Sequence, residues 1–154
     1  MAPMWEKAVG FGVEIPFVKH LGFELTRFEG GFSEILYTAL PEHLNSFSVT
    51  HGGALMTLLD VSMATAARSQ VPELGVVTIE MKTTFMRPAM GPLAARGELM
   101  HRTATMAFTQ ATVFDAHGHK CAHATGTFKF VKRLPTGHKT AIPLNLPQNT
   151  IRTD

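Results

Sequence analysis

The chain has one cysteine, Cys121, so it cannot form an internal disulfide bond. Its first residues, MAPMWEKAVG, lack the basic segment and the following run of about 7–15 apolar residues that a secretory signal needs. No apolar run reaches the roughly 20 residues of a transmembrane helix, because Asp60 and Arg68 interrupt the most apolar stretch. These absences predict a soluble, cytoplasmic protein without a membrane segment.

The sequence also has little net charge. Its 14 Lys and Arg residues oppose 12 Asp and Glu residues, for a formal net charge of +2, and the basic residues are scattered. This balance gives no electrostatic reason to expect binding to nucleic acid or to a membrane, although a mildly basic surface suits an anionic ligand. The 45% of hydrophobic and 17% of charged residues are typical of a folded globular domain rather than of a disordered chain.

The chain shows no internal repeat and no internal linker. At 154 residues it fits one core, and we predict a single domain over residues 1–133, including a short N-terminal segment. Residues 134–154 carry three prolines and no sustained periodicity. They are therefore predicted to form an extended C-terminal tail.

Turn residues and periodicity predict the elements of the first third of the chain. Residues 14–21 could form a short helix. Two strands, at 22–29 and 32–40, flank the turn pair Gly30-Gly31 and are predicted to form a hairpin.

The stretch from 52 to 69, GGALMTLLDVSMATAARS, is rich in Ala, Leu and Met, contains no proline and is apolar on nearly every face. It predicts a long helix buried inside the domain. The next stretch alternates with the period of a strand, which places five side chains on one predicted face: Val77, Ile79, Met81, Thr83 and Phe85. Three further strands are predicted at 93–103, 105–116 and 120–133.

The last predicted strand has small residues on one face, namely Ala122, Ala124 and Gly126, which would let a sheet close tightly around a helix. The order of two strands, one long helix and four strands predicts an α+β fold. In this fold an antiparallel β-sheet wraps around a long central α-helix.

Asp60 stands in the middle of the apolar helix, beside Leu58, Leu59 and Val61. An unpaired carboxylate there would cost several kcal/mol. A salt bridge or a solvent-facing position would explain it without any function, but the nearest charge in the helix, Arg68, is eight residues away and off the i,i+4 spacing. We therefore interpret Asp60 as a candidate catalytic carboxylate.

Gly52 and Gly53 begin the same helix, where unpaired backbone N–H groups and the helix dipole favour negative charge. Glycine also lets a substrate approach the backbone, so both residues could line an oxyanion site, with Gly53 as a substrate-binding residue. The plainer interpretation is a loop-to-helix turn. Eight residues of helix separate Gly52 from Asp60 by about 12 Å, so one carbonyl can contact both only if they come from two subunits with antiparallel helices.

These residues belong to a longer pattern, N-x(5)-HGG-x(6)-D, which is followed by TIEMKTTFMRPA. Over most of residues 15–133 the chain resembles the hotdog-fold acyl-CoA thioesterases of the phenylacetate-pathway type. The resemblance implies a hotdog fold, a homodimer as the minimal unit, pairing of dimers into a homotetramer, and hydrolysis of an acyl-CoA substrate without metal or cofactor. The residues that match the family's motif are Asn45, His51, Gly52, Gly53, Asp60 and Thr78.

The resemblance also implies a role for each matching residue. Asp60 corresponds to the carboxylate that acts as nucleophile or general base, and Gly52 to the glycine whose N–H holds the thioester oxygen. Asn45 and His51 correspond to residues near the sulfur and the carbonyl. Thr78 stands where the family often has a Ser or Thr that helps to place the water. A thioester carbonyl is electrophilic and its thiolate leaves readily, so one carboxylate and one oxyanion donor suffice.

Two other functions stay open at this point. A non-catalytic module that binds and senses acyl-CoA could share the fold, but it gains nothing evident from a carboxylate beside the thioester. A dehydratase acting on acyl chains needs a paired acid and base, and the helix offers only Asp60. We therefore predict a thioester hydrolase acting on aryl or medium-chain acyl groups.

The segment HGHKCAH is a rival signal, since His117, His119, Cys121 and His123 would share a face of a straight strand. Ligands placed so close together do not readily surround a tetrahedral ion, so surface histidines are the better interpretation. Nothing in the sequence places a base beside Cys121. Four basic residues on the predicted sheet could meet the phosphates of coenzyme A or form a solvated face: Lys82, Arg87, Arg96 and Arg102.

Overall fold

A computed structural model describes residues 9–132. The predicted tail, 134–154, lies outside the described residues, as do residues 1–8 and 133. Helix α1 spans Pro16–Leu21, strand β1 spans Glu24–Glu29 and strand β2 spans Phe32–Thr38. Helix α2 spans Gly52–Arg68 and is followed by four strands, which are β3 Leu74–Phe85, β4 Pro92–Arg102, β5 Met106–Asp115 and β6 Lys120–Lys132.

The short helix and the hairpin are confirmed with slightly tighter bounds than predicted. Pro16 starts α1, where its fixed φ suits the first turn. The helix ends at Gly22 in the left-handed conformation (φ 76°). Gly30 and Gly31 also have positive φ, 58° and 86°, so they can make the tight turn from β1 to β2.

All six strands belong to one antiparallel sheet with the order β1-β2-β4-β5-β6-β3. Helix α2 packs against this sheet and buries Leu58, Leu59 and Met63 completely. The predicted α+β fold, a sheet wrapped around a long central helix, is therefore confirmed. Within residues 9–132 no helix is long and apolar enough to cross a membrane.

Small residues of the sheet let α2 approach its backbone. A Cβ on Gly97 of β4 would collide with the carbonyl of Ser62, and one on Gly126 of β6 would lie 3.0 Å from the Cε of Met63. Ala122 and Ala124 of β6 are fully buried. The predicted small face of the last strand is thus confirmed, and it explains how the sheet closes around the helix.

The predicted apolar face of β3 is wrong in part. The β3–β6 register shifts between Thr78 and Glu80, which marks a bulge at Ile79, and a bulge reverses the alternation of side chains beyond it. Val77 and Ile79 are 45% and 54% exposed, and Phe85 is exposed as well, whereas Val76 is half-buried. Strand β3 ends the sheet with β6 as its neighbour, so within residues 9–132 no strand pairs with its second, open edge.

Candidate active site

Asp60 lies on α2 at the edge of the covered face, where it is half-buried. The hydroxyl of Thr78, on β3, donates a hydrogen bond to Asp60 Oδ1 at 2.7 Å. Burial raises the pKa of Asp60 above its ordinary value, and the bond from Thr78 lowers it by less, so the pKa remains raised. The site therefore holds a carboxylate that is oriented by one neutral donor and accepts a proton more readily than an exposed aspartate.

The alternative that Asp60 takes part in a structural salt bridge does not hold for the part of the chain that the structure describes. The ion pairs found between residues 9 and 132 all involve other acidic residues. Arg68, the nearest cation along α2, donates from Nε to the carbonyl of Leu74 at 3.3 Å. Among residues 9–132, Asp60 thus accepts a hydrogen bond from Thr78 and makes no ion pair, although Arg68 lines the same cavity.

A cavity of about 290 Å³ adjoins Asp60 and Thr78. Its walls are mainly apolar and include Val61 and Ala64 of α2 and Val76 of β3. Burial of the carboxylate on α2 is the cause of its raised pKa.

The start of α2 is organised by His51, the N-cap residue. His51 Nδ1 accepts a hydrogen bond from the N–H of Gly53 at 2.8 Å, and the N–H of His51 donates to the carbonyl of His43 at 2.9 Å. The N–H groups of Ala54 and Leu55 both donate to the carbonyl of His51. His51 therefore accepts hydrogen bonds from three of the first four N–H groups of the helix.

The N–H of Gly52 is the one left, since it has no hydrogen-bond partner within residues 9–132. Within residues 9–132 the unbonded donor at the helix start is thus on Gly52, whereas the N–H of Gly53 is bonded to His51. Glycine is still needed at position 53, because a Cβ there would lie 3.0 Å from His51 Nδ1. Contact of Gly53 with substrate by close approach remains a prediction.

A second cavity, of about 580 Å³, lies at the start of α2 and includes Gly52 and Asn45 in its lining. Asn45 Oδ1 accepts hydrogen bonds from the N–H groups of Phe47 (2.9 Å) and Val49 (3.3 Å), which close a turn that contains Ser48 with φ 59°. The side-chain oxygen of Asn45 is therefore used by its own loop. Its amide nitrogen is the group left for a ligand.

Thr50 is a residue of this cavity that sequence reasoning missed. It is only 3% exposed, and its hydroxyl has no hydrogen-bond partner among the described residues, while its N–H donates to the carbonyl of Ala89 at 3.0 Å. A threonine before a helix carries no signal of this kind in the sequence. Thr50 is identified only in the folded chain, where the loop near Ala89 packs against it and its hydroxyl is buried without a partner in residues 9–132.

The predicted site residues thus fall into two groups in the single chain. Gly52 and Asn45 line the cavity at the start of α2, whereas Asp60 and Thr78 line the cavity beside its middle. His51 and Gly53 interact with each other at the helix start. Neither cavity contains both the carboxylate and the free backbone donor.

The histidines of HGHKCAH do not converge on one point. Asp115 accepts hydrogen bonds from the N–H groups of His117 and His119 in a turn, and His123 pairs with Thr112. Cys121 is fully buried, and burial raises the pKa of its thiol. Within residues 9–132 there is no group of three or more His, Cys, Asp or Glu residues that could hold a metal ion.

Of the four basic residues considered for the phosphates of coenzyme A, Arg87 lines the cavity at Gly52. Arg96 instead pairs with Glu34 at 3.0 Å, and the guanidinium of Arg102 lies 4.8 Å from the centre of the Phe130 ring. Lys82 is exposed on β3. Arg87 is therefore the basic residue best placed for an anionic ligand at the helix start.

Comparison with known proteins agrees with this architecture. The sequence pattern of the Thioesterase superfamily matches residues 47–122. The medium/long-chain acyl-CoA thioesterase YigI of Salmonella typhimurium is 24% identical over 143 residues, which cover 79% of this chain and 91% of that protein.

Solved structures show the same fold. A conserved protein of Pseudomonas aeruginosa superimposes with a TM-score of 0.75 at 23% identity and covers 80% of this chain and 99% of its own. The PaaI protein from the phenylacetic acid degradation operon of Escherichia coli gives a TM-score of 0.72 at 23% identity, with coverages of 83% and 89%. Each of these similarities supports the hotdog fold that the sequence motif implied.

Proposed function

We propose that this chain, whose residues 47–122 match the Thioesterase superfamily, hydrolyses acyl-CoA thioesters to the free acid and coenzyme A. The acyl group is an aryl or medium-chain group. The similarity to YigI supports a coenzyme A thioester as substrate. The observation that carries the proposal is the half-buried carboxylate of Asp60, which accepts a hydrogen bond from Thr78 and makes no ion pair with residues 9–132.

In this mechanism the ionised Asp60 removes a proton from water, and the resulting hydroxide adds to the thioester carbonyl. The oxygen of the tetrahedral intermediate then accepts a hydrogen bond from the N–H of Gly52. When the intermediate collapses, the C–S bond breaks, and the coenzyme A thiolate leaves and is protonated. If Asp60 instead attacks the carbonyl itself, the C–S bond breaks and the thiolate leaves to give a mixed anhydride, which water hydrolyses in a second step to free acid and ionised Asp60. Both routes place Thr78 as the residue that keeps Asp60 oriented.

The site is formed by two subunits in this proposal. Gly52 and Asp60 are separated by eight residues of α2, which is about 12 Å, and they line different cavities. Antiparallel pairing of two β3 edges would bring Asp60 of one subunit towards Gly52 of the partner subunit. The exposed Val77 and Ile79 of that open edge support such pairing, because an apolar edge strand is a liability in a monomer.

The proposal also includes an oligomeric state, a contact with coenzyme A and a cellular location. Two dimers associate into a homotetramer, as the motif implied. Arg87 meets a phosphate of coenzyme A at the mouth of the cavity beside Gly52. The reaction takes place in the cytoplasm, where the buried thiol of Cys121 stays reduced.

The decisive experiment measures thiol release from a panel of acyl-CoAs by the wild type and by Asp60→Asn. We expect turnover to fall at least about 100-fold in the variant, because its amide cannot accept a proton from water, while binding of acyl-CoA is retained. Glu98→Gln is the matched control, since Glu98 accepts a hydrogen bond from Gln110 on the sheet and lines neither cavity. Equal rates for the wild type and Asp60→Asn would eliminate catalysis by Asp60 and favour the acyl-CoA sensor.

A second experiment tests the sharing of the site between subunits. Gly52→Pro removes the N–H of the first helical residue, a position where proline is well tolerated, and adds a ring whose Cβ would lie 3.4 Å from Phe85. In a one-to-one mixture of Asp60→Asn and Gly52→Pro subunits, half of the dimers are mixed, and each mixed dimer has one intact site. Activity should therefore return to about a quarter of the wild-type value for random pairing. No recovery after verified subunit exchange would mean that each site lies within one subunit.

A further inference from the structure

The chain before α1 crosses the open face of α2 beside Asp60. At one end of this segment, the N–H of Val9 donates to the carbonyl of Leu25 in β1 at 2.8 Å. At the other end, the carbonyl of Ile15 accepts the N–H of Lys19 in α1 at 2.9 Å. The segment is thus held on both sides of Phe11 and Val13, which are half-buried and line the cavity that contains Asp60.

The path of the segment depends on two glycines that flank Phe11. Gly10 and Gly12 have φ values of 69° and 72°, a conformation that other residues rarely adopt. A Cβ at either position would meet no other atom within 4 Å, so the glycines serve the backbone conformation and not a close contact. This double turn directs the ring of Phe11 towards the cavity beside α2.

Phe11 also borders a further cavity, of about 330 Å³, which extends towards Phe23 and Lys19. The cavity beside Asp60 and this further cavity share four lining residues, namely Phe11, Val13, Ile15 and Val18. Val18 is fixed in α1 and almost fully buried, whereas Phe11 lies in the glycine-flanked segment. The side chain of Phe11 is therefore the largest removable part of the partition between the two spaces.

The chemistry of the proposed reaction decides which part of the substrate enters beside Asp60. The thioester carbonyl must lie at the carboxylate, and its two substituents then diverge. The pantetheine arm is polar and must lead outwards, towards Asn45 and Arg87 of the partner subunit. The space beside Asp60 is lined mainly by aliphatic and aromatic side chains, while Thr65, Arg68 and Thr78 add polar groups to its wall. An engineered apolar cavity of about 150 Å³ in another protein accommodates benzene, so the 290 Å³ found here suits an aryl or alkyl group.

We infer that the acyl group occupies the cavity beside Asp60 and that Phe11 limits its length, which makes Phe11 a specificity-determining residue of this site. The inference rests on the proposed thioesterase function. The ring of Phe11 limits how far an acyl chain can extend, although unfilled space lies on the other side of the ring. Removing the ring joins the two cavities and gives additional methylene groups an apolar environment.

The test compares kcat/KM for a series of saturated acyl-CoAs from butyryl to palmitoyl, with phenylacetyl-CoA included. Phe11→Ala should move the preferred chain length upwards by at least two carbons. Because each buried methylene contributes about fourfold, kcat/KM for chains two carbons beyond the wild-type optimum should rise about 15-fold. Phe11→Trp should move the preference to shorter chains.

Phe17→Ala is the matched control, since Phe17 lies on α1, is 57% exposed and lines neither of the two cavities. Its chain-length profile should equal that of the wild type. An unchanged optimum in both Phe11 variants, with thermal unfolding showing folded proteins, would overturn the inference. The opposite shifts expected for alanine and tryptophan also separate a change in the cavity from a general loss of stability.

The same series distinguishes failure of this inference from failure of the proposed function. If the wild type hydrolyses none of the acyl-CoAs, the thioesterase proposal fails. Binding of non-hydrolysable thioether analogues of the same chain lengths, measured by calorimetry, then decides the role of Phe11. A longer preferred chain in Phe11→Ala supports that role. Unchanged binding preferences, or no binding to the wild type, contradict it.

Discussion

The start and the middle of α2 contribute to the proposed reaction in different ways. At the start, the reactive group is the backbone N–H of Gly52, and the surrounding loop is held by hydrogen bonds from Gly53 to His51 and from Thr50 to Ala89. In the middle, the reactive group is the side chain of Asp60, which is held by one bond from Thr78. The first site depends on chain conformation and the second on a single carboxylate, so different substitutions should disable them.

The largest effect that would sharpen this comparison is expected for Gly52→Pro. His51 has φ −60° and ψ 138°, the extended conformation that a residue before proline prefers, so the substitution should preserve α2. It removes the backbone donor to the oxyanion, which should lower kcat about 10²- to 10³-fold and change KM little. Steady-state kinetics with one good acyl-CoA substrate measures both parameters.

Gly52→Ala is the control for that variant, because it retains the N–H. Its Cβ would lie 3.4 Å from the ring of Phe85, a contact that a small ring movement can relieve. We expect kcat to remain close to the wild-type value. A loss in Gly52→Ala as large as that in Gly52→Pro would show that the space around the glycine matters and not its N–H.

A smaller effect is expected for Thr78→Val, which removes the hydrogen bond to Asp60. Since that bond lowers the pKa of Asp60, its loss should raise the pKa further. The ionised carboxylate is the active form, so the acidic limb of the kcat/KM profile should move to higher pH. At the plateau the rate should fall about tenfold, because the carboxylate loses its orienting partner.

Thr78→Ser keeps a hydroxyl and should restore the pH profile of the wild type. The measurement is kcat/KM from pH 4 upwards for the wild type and both variants. An acidic limb that stays in place in Thr78→Val would contradict the assignment of Thr78 as the partner that stabilises the ionised form of Asp60.

The smallest effect is expected for the stability of Asp60→Asn. This substitution should raise the thermal stability although it lowers the activity. Folding raises the pKa of Asp60, so the folded protein binds more protons than the unfolded chain between the two pKa values. The stability of the wild type therefore falls as pH rises through this range. At pH 7–8 we expect Asp60→Asn to unfold about 2–4 °C higher, the shift that about 1 kcal/mol produces in a domain of this size.

The difference should shrink as pH falls from the raised pKa of the folded protein to the ordinary pKa of aspartate, and it should not change further below that pH, where both states of the wild type are protonated. Thermal unfolding at one fixed protein concentration measures it, since association of subunits also affects the transition. A variant that is less stable than the wild type at neutral pH would mean that the ionised carboxylate has a stabilising partner.

The secondary structure could be read largely from local patterns. The run without proline from 52 to 69 predicted α2 to within one residue, and Gly30-Gly31 located the hairpin turn. The apolar face of β3 was mispredicted, because the bulge at Ile79 arises from pairing with β6 and leaves no trace in the alternation of residue types. The exposure of Val77 likewise depends on where the sheet ends.

The candidate site was predictable as a set of residues but not as an arrangement. The motif pointed to Gly52 for the N–H donor and to Asp60 for the carboxylate, but only the cap formed by His51 shows why the N–H of Gly53 is bonded while that of Gly52 has no partner within residues 9–132. The orphaned hydroxyl of Thr50 was missed as well. Hydrogen bonds of this kind depend on side-chain geometry that residue spacing does not specify.

The distance between Gly52 and Asp60 followed from the sequence alone, because an uninterrupted helix has a constant rise per residue. This distance alone excluded a site that uses Gly52 and Asp60 of the same α2 helix. The contact of Thr78 with Asp60, across 18 residues, required the packing of β3 against α2. The partition at Phe11 required the chain before α1 to cross that helix. Such contacts between distant segments are decided by the tertiary structure, since local periodicity carries no information about which elements become neighbours.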